Sequence, residues 1–171
     1  MKKTVVFFLV ATFVVLQASA QKETKKFSVG FGIEAGLPTG SITNVYNFAV
    51  GLTVRFSYHV GPGFVTLTTG AIGYDPKKVE GESEKVGLQI PVRAGYKYII
   101  QHHFFLMGEV GFSSFKTYYG SSGEVLSNTS TSPTIAPSIG YQANAFEISL
   151  RYGVDLNNSS GLVGVRLGFN F

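Results

Sequence analysis

The chain has no cysteine and no tryptophan, and only 14% of its 171 residues are charged. Without cysteine it can form neither disulfides nor thiolate metal sites, and it cannot carry a lipid-modified cysteine anchor. Excess charge is scarce as well. The formal net charge is +4, but Lys2 and Lys3 belong to a leader, which leaves the rest at only about +2 and excludes a nucleic-acid surface built on basic charge. Long apolar runs are limited to Val5 to Leu16, preceded by Lys2 and Lys3 and followed by Ala18-Ser19-Ala20. A membrane-spanning helix needs roughly 20 apolar residues, and this run falls short. Residues 1–20 therefore read as a cleavable signal peptide, and residues 21–171 as one mature domain starting at Gln21.

Glycine (21), phenylalanine (15) and tyrosine (9) are plentiful, a composition suited to all-β architecture. No part of the mature chain carries a helical apolar stripe; strict alternation replaces it. Phe27, Val29, Phe31, Ile33, Ala35 and Leu37 alternate with small or polar residues, as do Phe48, Val50, Leu52, Val54, Phe56 and Tyr58. Weaker alternation covers Phe64 to Tyr74. Leu88 to Tyr98, Phe104 to Phe115, Thr134 to Gln142, Phe146 to Val154 and Val163 to Phe171 complete eight predicted strands. Several reach the ~9–11 residues that a tilted membrane strand requires.

The connections alternate in length. Gly61-Pro62-Gly63, Gln101 to His103 and Ala143 to Ala145 are short, whereas 38–46, 75–86, 116–132 and 155–160 are longer and polar. Short turns on one rim and long loops on the other are how outer-membrane barrels are built. With both termini in the periplasm, the short turns lie there and the long loops lie outside.

Alternation alone also fits a soluble barrel, so the direction of the polar face decides. Glu34, Arg55, Arg93, Lys97, Glu109, Glu147, Arg151 and Arg166 all fall on the small-residue face, and they include all four arginines. At the periplasmic ends of the opposite face stand Phe27, Tyr58, Tyr96, Tyr98, Phe104, Tyr141, Phe146 and Phe169. Rings at one height form a girdle at a membrane–water boundary. The apolar face is therefore expected to meet lipid, with the charged face lining the interior.

A terminal Phe171 behind alternating apolar positions resembles the C-terminal signature read when outer-membrane barrels are inserted. Three further stretches are Ile33-Glu34-Ala35-Gly36-Leu37-Pro38-Thr39-Gly40, Ile90-Pro91-Val92-Arg93-Ala94-Gly95-Tyr96-Lys97-Tyr98, and Gly161 to Phe171. With these the chain resembles the outer-membrane β-barrel domain family of small OmpA/OmpX-like and porin-like barrels, over essentially the whole mature length. The resemblance implies an eight-stranded antiparallel up-and-down transmembrane β-barrel in the outer membrane of a Gram-negative envelope. It also implies contact with the lipid bilayer and lipopolysaccharide, and with the barrel assembly machinery during insertion. Pro91 and Pro137 interrupt strand pairing, and bulges are expected there.

The interior charges are the sharpest candidates for chemistry. Arg93 and Glu109 are expected to face each other across the turn at 101–103 as an ion pair, with Arg55, Arg151, Arg166 and Glu34 at comparable depth. Such a set forms either a selectivity ring or a packed ionic plug, and the bore of an eight-stranded barrel, just wide enough for its own side chains, favours the plug. Nucleophilic catalysis needs a base within hydrogen-bond reach of the nucleophile. His59, His102 and His103 map to the periplasmic rim, so the Ser/Thr-rich stretch 121–132 has no histidine partner. His102 and His103, adjacent in a strand, point to opposite faces and make a poor metal site. No catalytic, metal or cofactor site is predicted. The outer loops, notably 75–85 with its mixed charges and the pair Tyr118-Tyr119, present an unassigned ligand surface. Three functions follow: a non-enzymatic structural or surface-interaction barrel, a narrow passive channel for small solutes, and a soluble lipocalin-like binder.

Overall fold

The computed structural model describes residues 26–77, 85–101, 103–121 and 124–171. The expected signal peptide, His102 and most of the charged stretch 75–85 lie outside them.

Eight strands follow in chain order: β1 (Phe27–Gly40), β2 (Tyr46–Val60), β3 (Gly63–Pro76), β4 (Lys85–Gln101), β5 (Phe104–Ser121), β6 (Glu124–Ala143), β7 (Phe146–Asp155) and β8 (Ser160–Asn170). Each pairs antiparallel with the next, and β8 returns to β1 to close the barrel. Closure removes both sheet edges, so no ladder within the wall is left without a neighbour. A single 3₁₀ turn, Ser41–Asn44, joins β1 to β2.

Tight turns occupy one rim. Gly61 (φ 59°) and Asn144 (φ 52°) take the left-handed conformation that two-residue hairpins require. At that rim Phe171, just past β8, donates its N–H to the carbonyl of Val29 at 2.9 Å, tying the chain end to β1.

Side chains divide as the alternation requires. Ile33, Leu52, Val92, Val110, Leu150 and Leu167 are exposed on the outer wall, while the eight charged residues of the alternating face are all buried inside. The barrel is thus inverted relative to a soluble domain, with its apolar surface wrapped around the outside. An apolar belt that encircles the molecule far exceeds the few hundred Å² that soluble monomers leave exposed, and lipid is the solvent that suits it. Phe48 stands ten residues above Tyr58 in β2. At ~3.4 Å per residue and a tilt of ~40°, that separation is ~26 Å, the height of an outer-membrane apolar band (~25 Å).

Three expectations need correction. First, 116–132 is not an open loop. β5 and β6 continue as a hairpin paired from Phe104↔Tyr141 up to Ser121↔Glu124, whereas β6 meets β7 only up to Thr134↔Asp155. The Ser/Thr-rich arm 124–133 therefore joins a ladder on one side alone, with Pro133 accepting one further bond from the Leu156 N–H (3.0 Å). Second, Pro91 and Pro137 create no bulge. The β3–β4 register is the same at Thr69↔Val92 and Ile72↔Gln89, and the β6–β7 register at Ile135↔Val154 and Ser138↔Arg151; only the intervening pairs drop out. Each proline costs its ladder one donor without shifting the strand. Third, the register does shift elsewhere, between Tyr46 and Ala49 in β2 and between Ile99 and Gln101 in β4. The first shift turns Tyr46 inward, against the parity of Phe48 and Val50.

Candidate functional site

The lumen is where polar chemistry concentrates. In its turn-side half, three cations converge on Glu147. Arg55 Nη1 and Lys97 Nζ each lie 2.5 Å from a carboxylate oxygen, and Arg166 Nη1 lies 2.9 Å away. Arg166 Nε donates to Thr53 Oγ1 (2.9 Å), and Lys97 also donates to Gln142 while its ammonium stands 4.1 Å over the ring of Phe105. The Arg166 guanidinium lies flat against a bare strip of wall. A Cβ at Gly32 would come within 2.6 Å of it, and one at Gly168, the cross-strand partner of Gly32, would meet it too.

A second tier lies toward the long-connection rim. Arg151 Nη1 contacts both oxygens of Glu34 (3.0 and 2.7 Å), and its Nη2 is 3.5 Å from Glu109. Thr68 bridges the tiers, accepting from Arg55 Nε at 3.1 Å and donating to Glu109 Oε1 at 2.5 Å. Arg55, Arg151, Arg166 and Glu34 are therefore divided between two levels rather than sharing one. The expected Arg93–Glu109 pair does not form. Arg93 opposes Gly111 and Glu109 opposes Gly95, and Glu109 turns to Thr68 and Arg151 instead. Arg93 makes no ion pair among the described residues, and its Nε has no hydrogen-bond partner in the protein.

Above the upper tier the lumen opens into a cavity of about 330 Å³, floored by Glu34, Arg93 and Arg151 and reaching Ser41, Ser130 and Asn158 at the rim. One side of it is apolar. Ile72, Tyr74, Phe115 and Leu162 line it, and Tyr46 packs against them, the three rings meeting edge to face at 5.1–5.8 Å. A second hollow, about 470 Å³, lies at the turn rim between His59 and His103, whose rings pack on Phe64 and Tyr141.

The aromatic residues named from the sequence stand on the outer wall at the turn rim. Phe27, Tyr58, Tyr98, Phe104, Phe146 and Phe169 are about half exposed, Tyr96 is 36% exposed, and Tyr141 is intermediate. The Tyr96 hydroxyl donates to the carbonyl of Val60 (2.8 Å), and Phe104 packs edge to face on Tyr141 (5.1 Å). Phe48, Phe112 and Tyr152 are also exposed, nearer the opposite rim. Their alternation with Ala49, Gly111 and Arg151 was signal enough to find them. The inward aromatic group was legible in part, since Ile72 and Tyr74 share parity with Thr66 and Thr68.

No protein-family model and no curated protein matches the chain. Solved structures do. Ail, the attachment invasion locus protein of Yersinia pestis, is 16% identical over 85% of this chain and 97% of its own, with a TM-score of 0.64. Ail is known also with the heparin analogue sucrose octasulfate and in a phospholipid bilayer nanodisc. The N-terminal β-barrel domain of Pseudomonas aeruginosa OprF is 16% identical (84% and 97% covered, TM-score 0.59). Neisserial surface protein A, NspA, is 14% identical (88% and 100% covered, TM-score 0.58). Between sequences so distant the likeness is one of fold, and the fold is that of the small eight-stranded barrels of the bacterial outer membrane.

Proposed function

We propose that this protein is a non-enzymatic outer-membrane barrel with a structural or surface-interaction role, its bore closed by an ionic plug. The observation that carries the reading is the two-tier network on Glu147 and on Glu34 with Glu109, linked through Thr68 and buried throughout. Side chains held by several charge-assisted bonds each leave no path for a hydrated ion in so narrow a bore. The apolar belt supports contact with lipid, and the neighbouring Ail structure in a phospholipid nanodisc supports the same. Lipopolysaccharide is the partner expected at the outer leaflet. Export through cleavage after Ala20, and insertion by the barrel assembly machinery acting on Phe171, complete the proposal. The β5–β6 arm would stand outside the membrane as the surface element, its ligand unassigned.

Planar-bilayer recording of the refolded mature barrel tests the plug. A silent bilayer in the presence of demonstrably inserted protein is expected. Reproducible single-channel steps would replace this reading with the narrow passive channel.

A further inference from the structure

We propose that the outer cavity is a binding site for a small organic carboxylate with a short apolar or aromatic body. Charge balance comes first. The buried lumen holds five cations (Arg55, Arg93, Lys97, Arg151, Arg166) against three carboxylates (Glu34, Glu109, Glu147). Glu147 takes three of the cations, and Glu34 and Glu109 share Arg151. Arg93 is the cation left over, 4% exposed and on the cavity floor. A buried charge without a partner is costly, and an incoming anion relieves that cost.

Hydrogen bonding points the same way. Arg93 Nε, Ser113 Oγ and Thr134 Oγ1 are buried, lack protein partners and line this one cavity. They come from three successive strands. Arg93 faces Gly111 across β4–β5, and Gly111 faces Thr134 across β5–β6, so the side chains of Arg93 and Thr134 stand in one cross-strand row, with Ser113 two residues along β5 on the same face. A planar guanidinium flanked by two hydroxyls suits the in-plane lone pairs of a carboxylate. Asp155 also borders the cavity, but its oxygens are engaged by Asn157 and Asn158 of the β7–β8 turn. The apolar part of the lining selects the rest of the ligand. Ile72, Tyr74, Phe115 and Leu162 offer an apolar surface that inorganic phosphate or sulfate would leave unused. About 330 Å³ is at the lower end of small-molecule sites (roughly 300–1,000 Å³), which limits the ligand to a single ring or a short chain.

The test is calorimetric or NMR titration of the folded mature barrel in micelles with benzoate, its uncharged isostere benzamide, and inorganic phosphate. Saturable 1:1 binding of benzoate is expected, about tenfold or more tighter than that of benzamide or phosphate, as loss of a charged hydrogen-bonding partner implies. Arg93→Gln should weaken benzoate binding by a similar factor. Gly153→Val provides a second variant in case the first fails to fold. A Cβ at Gly153 would sit 3.4 Å from Arg93 Nη1, so the larger side chain blocks the approach to the Arg93 guanidinium without altering any charge or either ion-pair tier. It should abolish binding with folding retained. Absence of saturable benzoate binding, equal binding of benzamide, or unchanged affinity in folded Gly153→Val would each overturn the proposal.

Discussion

Glu147 alone compensates three cations, and Arg55, Lys97 and Arg166 would all be left facing one another if it were removed. Breaking a buried ion pair from one side costs roughly 3–5 kcal/mol. Glu147→Ala is therefore expected to lose at least that much, measured as the urea midpoint of the folded gel band in lipid vesicles. A loss below about 1 kcal/mol, the level of a solvated surface pair, would show that the pocket is wet and the network slack. These charges could be placed from the sequence because a strand reveals facing by parity alone. Glu34, Arg55, Arg93 and Glu147 each sit between two apolar outward residues, and no knowledge of partners is needed to turn them inward. Which charge meets which was not legible. Arg151 of β7 reaches Glu34 of β1, and Arg55 of β2 reaches Glu147 of β7. Such contacts depend on side-chain reach across a bore whose shear does not appear in local sequence, so reasoning confined to neighbouring strands paired Arg93 with Glu109.

Among the elements, the β5–β6 hairpin departs most from its sequence reading. Stretch 124–133 is rich in Ser, Thr and Asn, a composition associated with loops, yet it pairs with β5 along its length. Cross-strand pairing supplies what propensity does not. Because the arm contributes nothing to β7 before Thr134, the closed wall does not depend on it. Replacing residues 117–128 with a two-residue Asn-Gly turn, which joins the paired Lys116 and Thr129, should leave the heat-modifiable gel shift of the barrel intact. Loss of the folded band would mean that the arm helps close the wall. The inward turn of Tyr46 illustrates the opposite limit. It follows from a one-residue bulge that the alternating pattern of β2 gives no sign of, and it sets against Tyr74 and Phe115 a ring that parity assigns to the outside.

On the scale of the whole molecule, the inversion of inside and outside sets the response to mutation. Leu52 is 67% exposed and lies between the levels of Phe48 and Tyr58, mid-belt. On a soluble protein, replacing so exposed a residue shifts stability by no more than about 0.5 kcal/mol. In a bilayer a cation at the midplane costs ~2–4 kcal/mol. Leu52→Arg is expected to show the larger loss in vesicle unfolding; a near-neutral result would place β2 outside the lipid.

The Arg151–Glu34 and Arg55–Glu147 contacts join strands from opposite ends of the chain across the bore. They can exist only once β8 has met β1, so they act as a latch that engages on closure and cannot guide the steps before it. Until then the sheet carries five cations and three glutamates with no polar interior to turn into. An open or half-zipped intermediate would expose that row of charge to hydrocarbon, and each residue would resist entry. The polar lining thus makes insertion and closure a single event, and a barrel whose seam began to part in the membrane would be driven shut again.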